Sequence, residues 1–411
     1  MRVNFKGFDF VDGGICAPAG FQAAGIHCGI RKNKDKRDLA LIYSEDICTA
    51  AAIYTQNKVK GAPIAVTKKN IKNGKAQAII VNSGNANTCN ADGEQKAQMM
   101  CDLTAKALGI NQQDVIVAST GVIGQVLDIE PIQDGMPQLV SELSDGGSNN
   151  AAEAIMTTDT VKKEIAVEFH MGDAVCKIAG IAKGSGMIHP NMATMLCFIT
   201  TDVAIEAELL QSALKKVADD TFNMVSIDGD TSTNDMACVL ASGKAGNPLI
   251  DKQDNNYEIF INALYVVLMN LSREIAADGE GATKLLECHV TGADDEQTAK
   301  KVAKSVITSS LFKSAMFGAD ANWGRILCAI GYADAEFNIG EVSVQLASAK
   351  GCIRVCEYGA GVDFSEETAK EILLEDEIKI IVSLGKGKYS AVAWGCDLTY
   401  DYVKINGDYR T

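Results

Sequence analysis

The sequence lacks the spacings that mark common metal and nucleotide sites. Its 13 cysteines include no Cys-x-x-Cys pair, and its four histidines show no metal-ligand spacing. A structural zinc site is therefore not expected. The phosphate loop Gly-x4-Gly-Lys-Ser/Thr, the third glycine of a dinucleotide fingerprint and the Gly-x-Ser-x-Gly nucleophile elbow are all missing. We therefore expect neither a cofactor nor a metal.

Positive charge and long apolar runs are also scarce. The 38 lysines and arginines are outnumbered by 53 acidic residues, which gives a net charge of -15. This balance argues against a nucleic-acid partner, which would need clustered cations, and suits a cationic small molecule. The start, residues 1–6, lacks the apolar core of a signal peptide, and the longest apolar run, 259–271, is too short to span a bilayer. With scattered, unpaired cysteines, this predicts a cytoplasmic protein without a membrane role.

Apolar periodicity predicts strands and helices that alternate along the chain. Predicted strands lie near residues 39–43, 76–81, 114–118, 164–170, 174–182, 286–291, 341–347, 378–384 and 390–395. Predicted helices lie near residues 94–108, 151–156, 206–222, 254–277, 296–308, 320–332 and 365–373. The small polar residues 82–88 are predicted to form a loop. This alternation predicts an α/β (α+β) fold of mixed layers with much antiparallel sheet.

The stretch 183–200 joins a flexible loop to a buried strand. Two glycines and a proline interrupt its first half, whereas residues 195–199 are apolar on both alternating faces. Thr194 stands at the junction. If the bond between Ala193 and Thr194 were cut, Thr194 would carry both a nucleophilic hydroxyl and a free α-amine, whose pKa of about 7.7–8.0 suits a general base. Alternatively, the threonine simply starts a strand, because β-branched residues favour strands.

Three other loops have both a structural and a functional interpretation. Residues 119–124 follow a predicted strand, and their glycine-turn N–H groups and threonine hydroxyl suit an oxyanion hole or merely a turn. Glu280 lies between two glycines and would face either a cavity or water. Residues 226–235 are rich in acids but lack the spacing of a calcium loop, so we expect a structural turn or a wall of the active site.

Seven stretches in one order resemble the ornithine acetyltransferase family of arginine biosynthesis, also called glutamate N-acetyltransferases. They are residues 82–88, 119–124, 157–160, 183–196, 278–284, 317–325 and 406–411. They span nearly the whole chain, and their shared order is far more specific than any single motif.

The resemblance implies a cofactor-free acetyltransferase that cleaves itself between Ala193 and Thr194. Residues 1–193 would form an α chain and residues 194–411 a β chain, intertwined in one layered, mixed-sheet fold of the amino-terminal-nucleophile type. Two of each chain would form a heterotetramer. Thr194 would take the acetyl group of N-acetylornithine as an ester and pass it to glutamate. Some family members also accept acetyl-coenzyme A, and no short motif separates the two kinds.

The resemblance also assigns roles to individual positions. By this similarity Thr120 and Gly121 form the oxyanion hole. The substrate-binding residues are Thr157, Lys183, Thr194, Glu280, Asn406 and Thr411. We expect Lys183 to meet a substrate carboxylate and Glu280 an amino group, because a desolvated ion needs an opposite partner.

Two rival functions follow from the same residues. An amide hydrolase or aminopeptidase with an amino-terminal threonine would let water resolve the ester, so glutamate would not affect its hydrolysis of acetylornithine. A non-catalytic binding protein, in which Thr194 only starts a strand, would remain a single unbroken chain.

Overall fold

The computed structural model describes residues 2–189 and 195–407 of the 411-residue chain. Strands in these residues are β1 (Phe8–Phe10), β2 (Phe21–Ile26), β3 (Leu39–Tyr54), β4 (Lys75–Asn85), β5 (Val115–Val122), β6 (Lys163–Met171), β7 (Ala174–Lys183), β8 (Leu196–Thr201), β9 (Val225–Ser226), β10 (Met236–Ala241), β11 (Leu285–Ala293), β12 (Ser343–Ser348), β13 (Gly351–Glu357), β14 (Ala360–Gly361), β15 (Glu377–Ser383) and β16 (Tyr389–Cys396).

The helices are α1 (Ala62–Asn70), α2 (Gly93–Leu108), α3 (Glu130–Ser141), α4 (Ser148–Ile155), α5 (Ala207–Asp220), α6 (Asn255–Ala277), α7 (Glu296–Thr308), α8 (Ser310–Phe317), α9 (Trp323–Gly331), α10 (Glu366–Leu373) and α11 (Tyr400–Asn406).

The strands form two mixed sheets. The first follows the order β1-β6-β7-β8-β10-β3-β4-β5, with β2 paired to β3 beside this path. The second follows the order β14-β13-β12-β15-β11-β16-β9. In the first sheet the pairs β8/β10 and β4/β5 are parallel, and its other pairs are antiparallel. The predicted mixed α/β fold with much antiparallel sheet is thereby confirmed.

Helix α6 packs between the two sheets and forms the centre of the core. It contacts β6 and β7 of the first sheet and β11 and β16 of the second. The Asp254 side chain caps its start by accepting the Asn256 backbone N–H at 2.9 Å. By length and composition this helix could cross a bilayer, but 78% of its most apolar window is buried in the protein. It is therefore a core helix, apolar on nearly all sides because protein surrounds it.

Three strand ends meet where the conspicuous stretch 183–200 leaves and re-enters the sheet. Lys183 at the end of β7 pairs with Leu196 at the start of β8, and Leu196 also aligns with Met236 at the start of parallel β10. Residues close to Lys183, Leu196 and Met236 consequently lie side by side where these three neighbouring strands begin or end.

One local prediction was wrong. Residues 82–85, expected to begin a loop, continue β4, because parallel pairing with β5 extends through Ser83↔Thr120 and Gly84↔Gly121. Their polar side chains are buried but bonded: Ser83 Oγ donates to the Ala154 carbonyl at 2.7 Å. Internal hydrogen bonds allow these small polar residues to occupy a buried strand, although their polarity had predicted a loop.

Candidate functional site

One cavity brings together six of the residues predicted to act in the site. It has a volume of about 310 Å³, a size suited to a small ligand. The six residues that line it are Thr120, Gly121, Thr157, Lys183, Glu280 and Asn406. The remaining predicted residues, Ala193, Thr194 and Thr411, lie outside the described residues.

Thr120 and Gly121 lie near the end of β5. At Gly121 the neighbouring strand leaves no space for a side chain. Gly121 has φ +131°, and a Cβ there would lie 2.3 Å from the carbonyl carbon of Gly84 on the neighbouring strand. Only glycine fits this approach. The Lys183 ammonium donates to Thr120 Oγ1 at 3.3 Å, so the threonine proton is left to point elsewhere. The pair can thus present a hydroxyl and an N–H to the cavity.

Lys183 is a buried cation. Burial lowers the pKa of its ammonium from the usual value, and the carboxylates of Asp159 and Asp235 oppose that shift. The side chain stands at the end of β7, whose residues 178–183 are buried on both faces. A desolvated ammonium facing a cavity attracts an anionic group of a ligand.

A buried ion network lies behind Lys183. The Lys163 ammonium contacts Asp159 Oδ1 at 2.7 Å and Asp278 Oδ2 at 2.6 Å. Asp159 also accepts the backbone N–H of Gly184 at 2.7 Å and that of Thr157 at 3.0 Å. Burial alone would raise the pKa of Asp159, but the ammonium of Lys163 and then that of Lys183 hold it well below its usual value. The network joins three segments of the cavity wall.

Glu280 faces the cavity, which decides the alternative left open by the sequence. Its residue is 7% exposed, and its backbone N–H donates to the Ser185 carbonyl at 2.8 Å. The carboxylate packs over Gly186, where a Cβ would lie 2.4 Å from it. Asn406 Nδ2 donates to Glu280 Oε2 at 2.7 Å. Two distant loops and the last helix thus fix this carboxylate.

The acidic stretch 226–235 contributes a wall to the same cavity. Asn234 lines it, accepts the Thr88 hydroxyl at 2.6 Å on Oδ1 and donates from Nδ2 to the Ser119 carbonyl at 3.0 Å. Asn234, just before β10, is therefore hydrogen-bonded both to Thr88, which follows β4, and to Ser119 of β5. Of the two interpretations of this stretch, the cavity wall agrees with the structure.

Neither the ion network nor the burial of Asp235 was predicted from the sequence. Asp159 and Asp278 lie inside motifs of the family resemblance, but nothing in their spacing indicated that Lys163 joins them across 115 residues. A charged residue beside or within an apolar strand could have indicated these buried groups. Such a residue needs a partner, because burying an unpaired charge is energetically costly. Lys163 and Asp235 both occupy such positions.

The arrangement can bind a small molecule that carries both charges. One buried ammonium and one buried carboxylate, on Lys183 and Glu280, line the same cavity as the hydroxyl and N–H groups of Thr120 and Gly121. An amino acid would find an opposite partner for each ionic group, and a carbonyl near Thr120 would find donors for developing negative charge.

Comparisons with known proteins agree with the motifs. A family model described as the ArgJ family matches residues 22–411. Two curated relatives, both called arginine biosynthesis bifunctional protein ArgJ, are similar over nearly their full lengths. The one from Clostridium acetobutylicum is 52% identical over 95% of this chain and 96% of its own length. The one from Caldanaerobacter subterraneus is 48% identical over 98% of this chain and 100% of its own.

A solved chain from Mycobacterium tuberculosis, described as ornithine acetyltransferase complexed with ornithine, is 36% identical, with a TM-score of 0.42. That match covers 45% of this chain and 100% of the solved chain. On the family model and the near-full-length identities, the chain belongs to the ArgJ family.

Proposed function

We propose that this chain moves an acetyl group from N-acetylornithine to glutamate through an ester on Thr194, after cleaving itself between Ala193 and Thr194. Family membership and the shared motifs support this activity. The observation that carries it is the single cavity in which Lys183, Glu280 and the Thr120–Gly121 pair converge beside the start of β8. Strand β8 begins two residues after Thr194.

The transfer proceeds in two half-reactions on one nucleophile. The α-amine of Thr194 removes the hydroxyl proton, and the oxygen attacks the acetyl carbonyl of N-acetylornithine. Ornithine leaves with that proton, and the acetyl group stays on Thr194 as an ester. Glutamate then binds, its neutral amine attacks the ester carbonyl, and the α-amine of Thr194 passes the proton lost by that nitrogen to the departing Thr194 oxygen as N-acetylglutamate leaves. Thr120 and Gly121 donate hydrogen bonds to the oxyanion in both halves, because the same carbonyl is attacked twice.

The charges of the cavity select amino-acid substrates. Lys183 pairs with the α-carboxylate that ornithine and glutamate share, and Glu280 pairs with an amino group. Thr157 and Asn406 line the same cavity and contribute hydrogen bonds, and Thr411 completes the set at the carboxyl terminus. Acetyl-coenzyme A is proposed as a second donor, in keeping with the word bifunctional in the names of the relatives.

Cleavage yields an α chain of residues 1–193 and a β chain of residues 194–411 that stay together. Support comes from the first sheet, in which β7 from one chain pairs with β8 from the other. Two copies of each chain form a heterotetramer. We place the enzyme in the cytoplasm, because all 13 cysteines are free and thiols persist in reducing compartments.

Mass spectrometry and an exchange assay test the proposal together. Purified protein should give fragments of 193 and 218 residues (411 − 193 = 218), and Thr194→Ala should give one whole chain without transfer activity. Acetyl should pass from N-acetylornithine to labelled glutamate, and omission of glutamate should stop ornithine release after one turnover. Continued release without glutamate would identify a hydrolase instead. Synthesis of acetylglutamate from acetyl-coenzyme A alone tests the second donor.

A further inference from the structure

The turn that carries Glu280 has a backbone with unusual conformational freedom. Gly279 and Gly281 flank the acid, and Gly281 has φ +70°, a conformation that favours glycine. Because glycine restricts the backbone little, these residues do not by themselves fix the direction of the Glu280 carboxylate. Its position must therefore come from hydrogen bonds to other parts of the chain.

A second buried acid, Asp397, holds the residues that follow this turn. Asp397 is 3% exposed and comes directly after β16. Its Oδ1 accepts the backbone N–H of Thr283 at 2.8 Å and that of Lys284 at 3.0 Å. Its Oδ2 accepts the Thr283 hydroxyl. Three donors from the segment after Gly281 thus converge on one carboxylate, and hydrogen bonds to an ionised acceptor are the strong ones.

The backbone on both sides of Asp397 is anchored to the second sheet and to α8. Cys396, the last residue of β16, pairs with Leu285, the first residue of β11. Lys313 on α8 is 3% exposed, and its ammonium donates to the Cys396 carbonyl. The Lys313 carbonyl accepts the Leu398 N–H at 3.3 Å. Asp397 therefore connects the turn to a part of the fold that is already fixed.

The short stretch 397–406 makes further contacts with the same turn. Thr399 Oγ1 donates to the Gly281 carbonyl at 2.6 Å, and Asn406 Nδ2 donates to the Glu280 carboxylate at 2.7 Å. Asn406 lines the cavity, whereas Asp397 is not one of the described residues that line it. Any effect of Asp397 on a bound molecule must therefore pass through the turn.

We propose that Asp397 is a positioning residue, which fixes the turn so that the Glu280 carboxylate meets the amino group of the substrate. This inference rests on the proposed function, in which Glu280 pairs with that group. Asp397 acts through its hydrogen bonds to Thr283 and Lys284 and touches no substrate atom. A misplacement of about 1 Å in a site can cost about 10²-fold in rate, so loss of these bonds should be measurable in the kinetics.

A double-mutant cycle on kcat/KM for N-acetylornithine tests this role. Asp397→Ala should lower kcat/KM by about 10–10²-fold, chiefly through a higher KM. In Glu280→Gln no carboxylate remains to be positioned, so the same substitution should lower kcat/KM by less than about threefold. Asp397→Asn should recover much of the loss, because an amide oxygen still accepts N–H groups, although more weakly than a carboxylate.

The matched control is Asp295→Ala, which removes the same kinds of hydrogen bond elsewhere. Asp295 Oδ1 accepts the Thr298 backbone N–H at 2.8 Å, and its Oδ2 accepts the Thr298 hydroxyl at 2.8 Å. These bonds cap the start of α7, to which none of the described residues that line the cavity belongs. Asp295→Ala should therefore lower Tm without raising KM.

The possible failures are distinguishable. A native protein without acetyl transfer would overturn the proposed function itself. If the native protein is active, a native KM in Asp397→Ala, or an equal loss with and without Glu280, would overturn only the role of Asp397. If Asp397→Ala does not fold, Asp397→Asn replaces it in the cycle. It should raise KM about threefold only when Glu280 is present, and an unchanged KM would contradict the positioning role.

Discussion

Asn406 and Glu280, 126 residues apart in sequence, share a hydrogen bond of 2.7 Å from the amide nitrogen to the carboxylate. Asn406 is the last residue of α11. Its bond means that α11, the last helix among the described residues, forms part of the cavity wall and orients the carboxylate proposed to hold an amino group.

Extending the carboxyl terminus should therefore impair the enzyme. A chain with six added residues after Thr411 is expected to lose at least about tenfold in kcat/KM, equal to about 1.4 kcal/mol, because Asn406 lines the cavity and Thr411 is proposed to bind substrate. The same tag at the amino terminus is the control. Unchanged kinetics for the carboxyl-terminal tag would remove Thr411 from the site.

Glu280→Gln should weaken binding of the amino-acid substrates while keeping the shape of the wall. Loss of one partner of a buried charge pair costs about 2–5 kcal/mol, so kcat/KM for N-acetylornithine should fall accordingly. Glu258→Gln changes an exposed acid on α6 and serves as the matched control. Equal kcat/KM values in steady-state assays of both variants would show that Glu280 does not meet the substrate.

Gly121→Ala should damage both the fold near β5 and the chemistry. The added Cβ would lie 2.3 Å from the Gly84 backbone, and φ +131° is strained for alanine. We expect kcat to fall by about 10²–10³, the usual effect of losing an oxyanion donor, with a lower Tm. Gly146→Ala places its Cβ in open space and should change neither quantity. Because alanine keeps the backbone N–H, a native kcat and Tm in Gly121→Ala would show that the added Cβ does not displace this donor.

Lys163→Met should destabilise the protein by removing the cation between two buried acids. Deleting one partner of a buried ion pair costs about 3–5 kcal/mol. The free energy of unfolding is best measured by urea denaturation in Thr194→Ala, whose unbroken chain unfolds as one molecule. Lys162→Met is the control, because its pairing with Glu153 at 3.3 Å is solvent-exposed and such pairs contribute about 0–1 kcal/mol. Similar losses in both variants would contradict the network.

His189 should reduce stability in mild acid. Burial, and to a lesser extent Lys304, lowers its pKa to about 4, whereas Asp228 opposes the shift. In the unfolded chain its pKa is about 6.5, so between pH 6.5 and pH 4 the unfolded state binds more protons and stability falls as pH decreases. Below about pH 4 both states are protonated and this contribution stops changing.

Imidazole NMR titration and acid melting curves measure the two parts of this prediction. One of the four histidine signals should titrate near pH 4 and be absent from His189→Gln. That variant should also lose part of the decline in Tm between pH 6.5 and pH 4, whereas the exposed control His170→Gln should keep it. A His189 signal that titrates near 6.5 would contradict the prediction.

The sequence predicted the parts of the fold that depend on local periodicity. The helix expected at 296–308 occupies those residues, and the strand expected at 174–182 extends to Lys183. The elements missed include helices α1, α3, α8 and α11 and strands β2, β10 and β13. Strand β10, for example, is flanked by β8 and β3 and is buried throughout, so its apolar run showed no alternation.

The site was predictable by resemblance and much less so from residues alone. Glu280 between two glycines left a cavity or water open, with water favoured on the residues alone, and the packing over Gly186 decides for the cavity. The ion network around Lys163 could not be predicted, since it joins residues up to 115 positions apart. Long-range pairing of charges leaves no periodic trace in a sequence.

The interleaving of β7, β8, β10 and β3 has a consequence for the order of events in the life of the molecule. If the backbone is cut between β7 and β8, which are neighbours in one sheet, the covalent link that guided their alignment no longer exists. Each enzyme would then be assembled once, as a single polymer. Afterwards its survival would depend on how slowly it comes apart, because the separated pieces would have to find each other by diffusion.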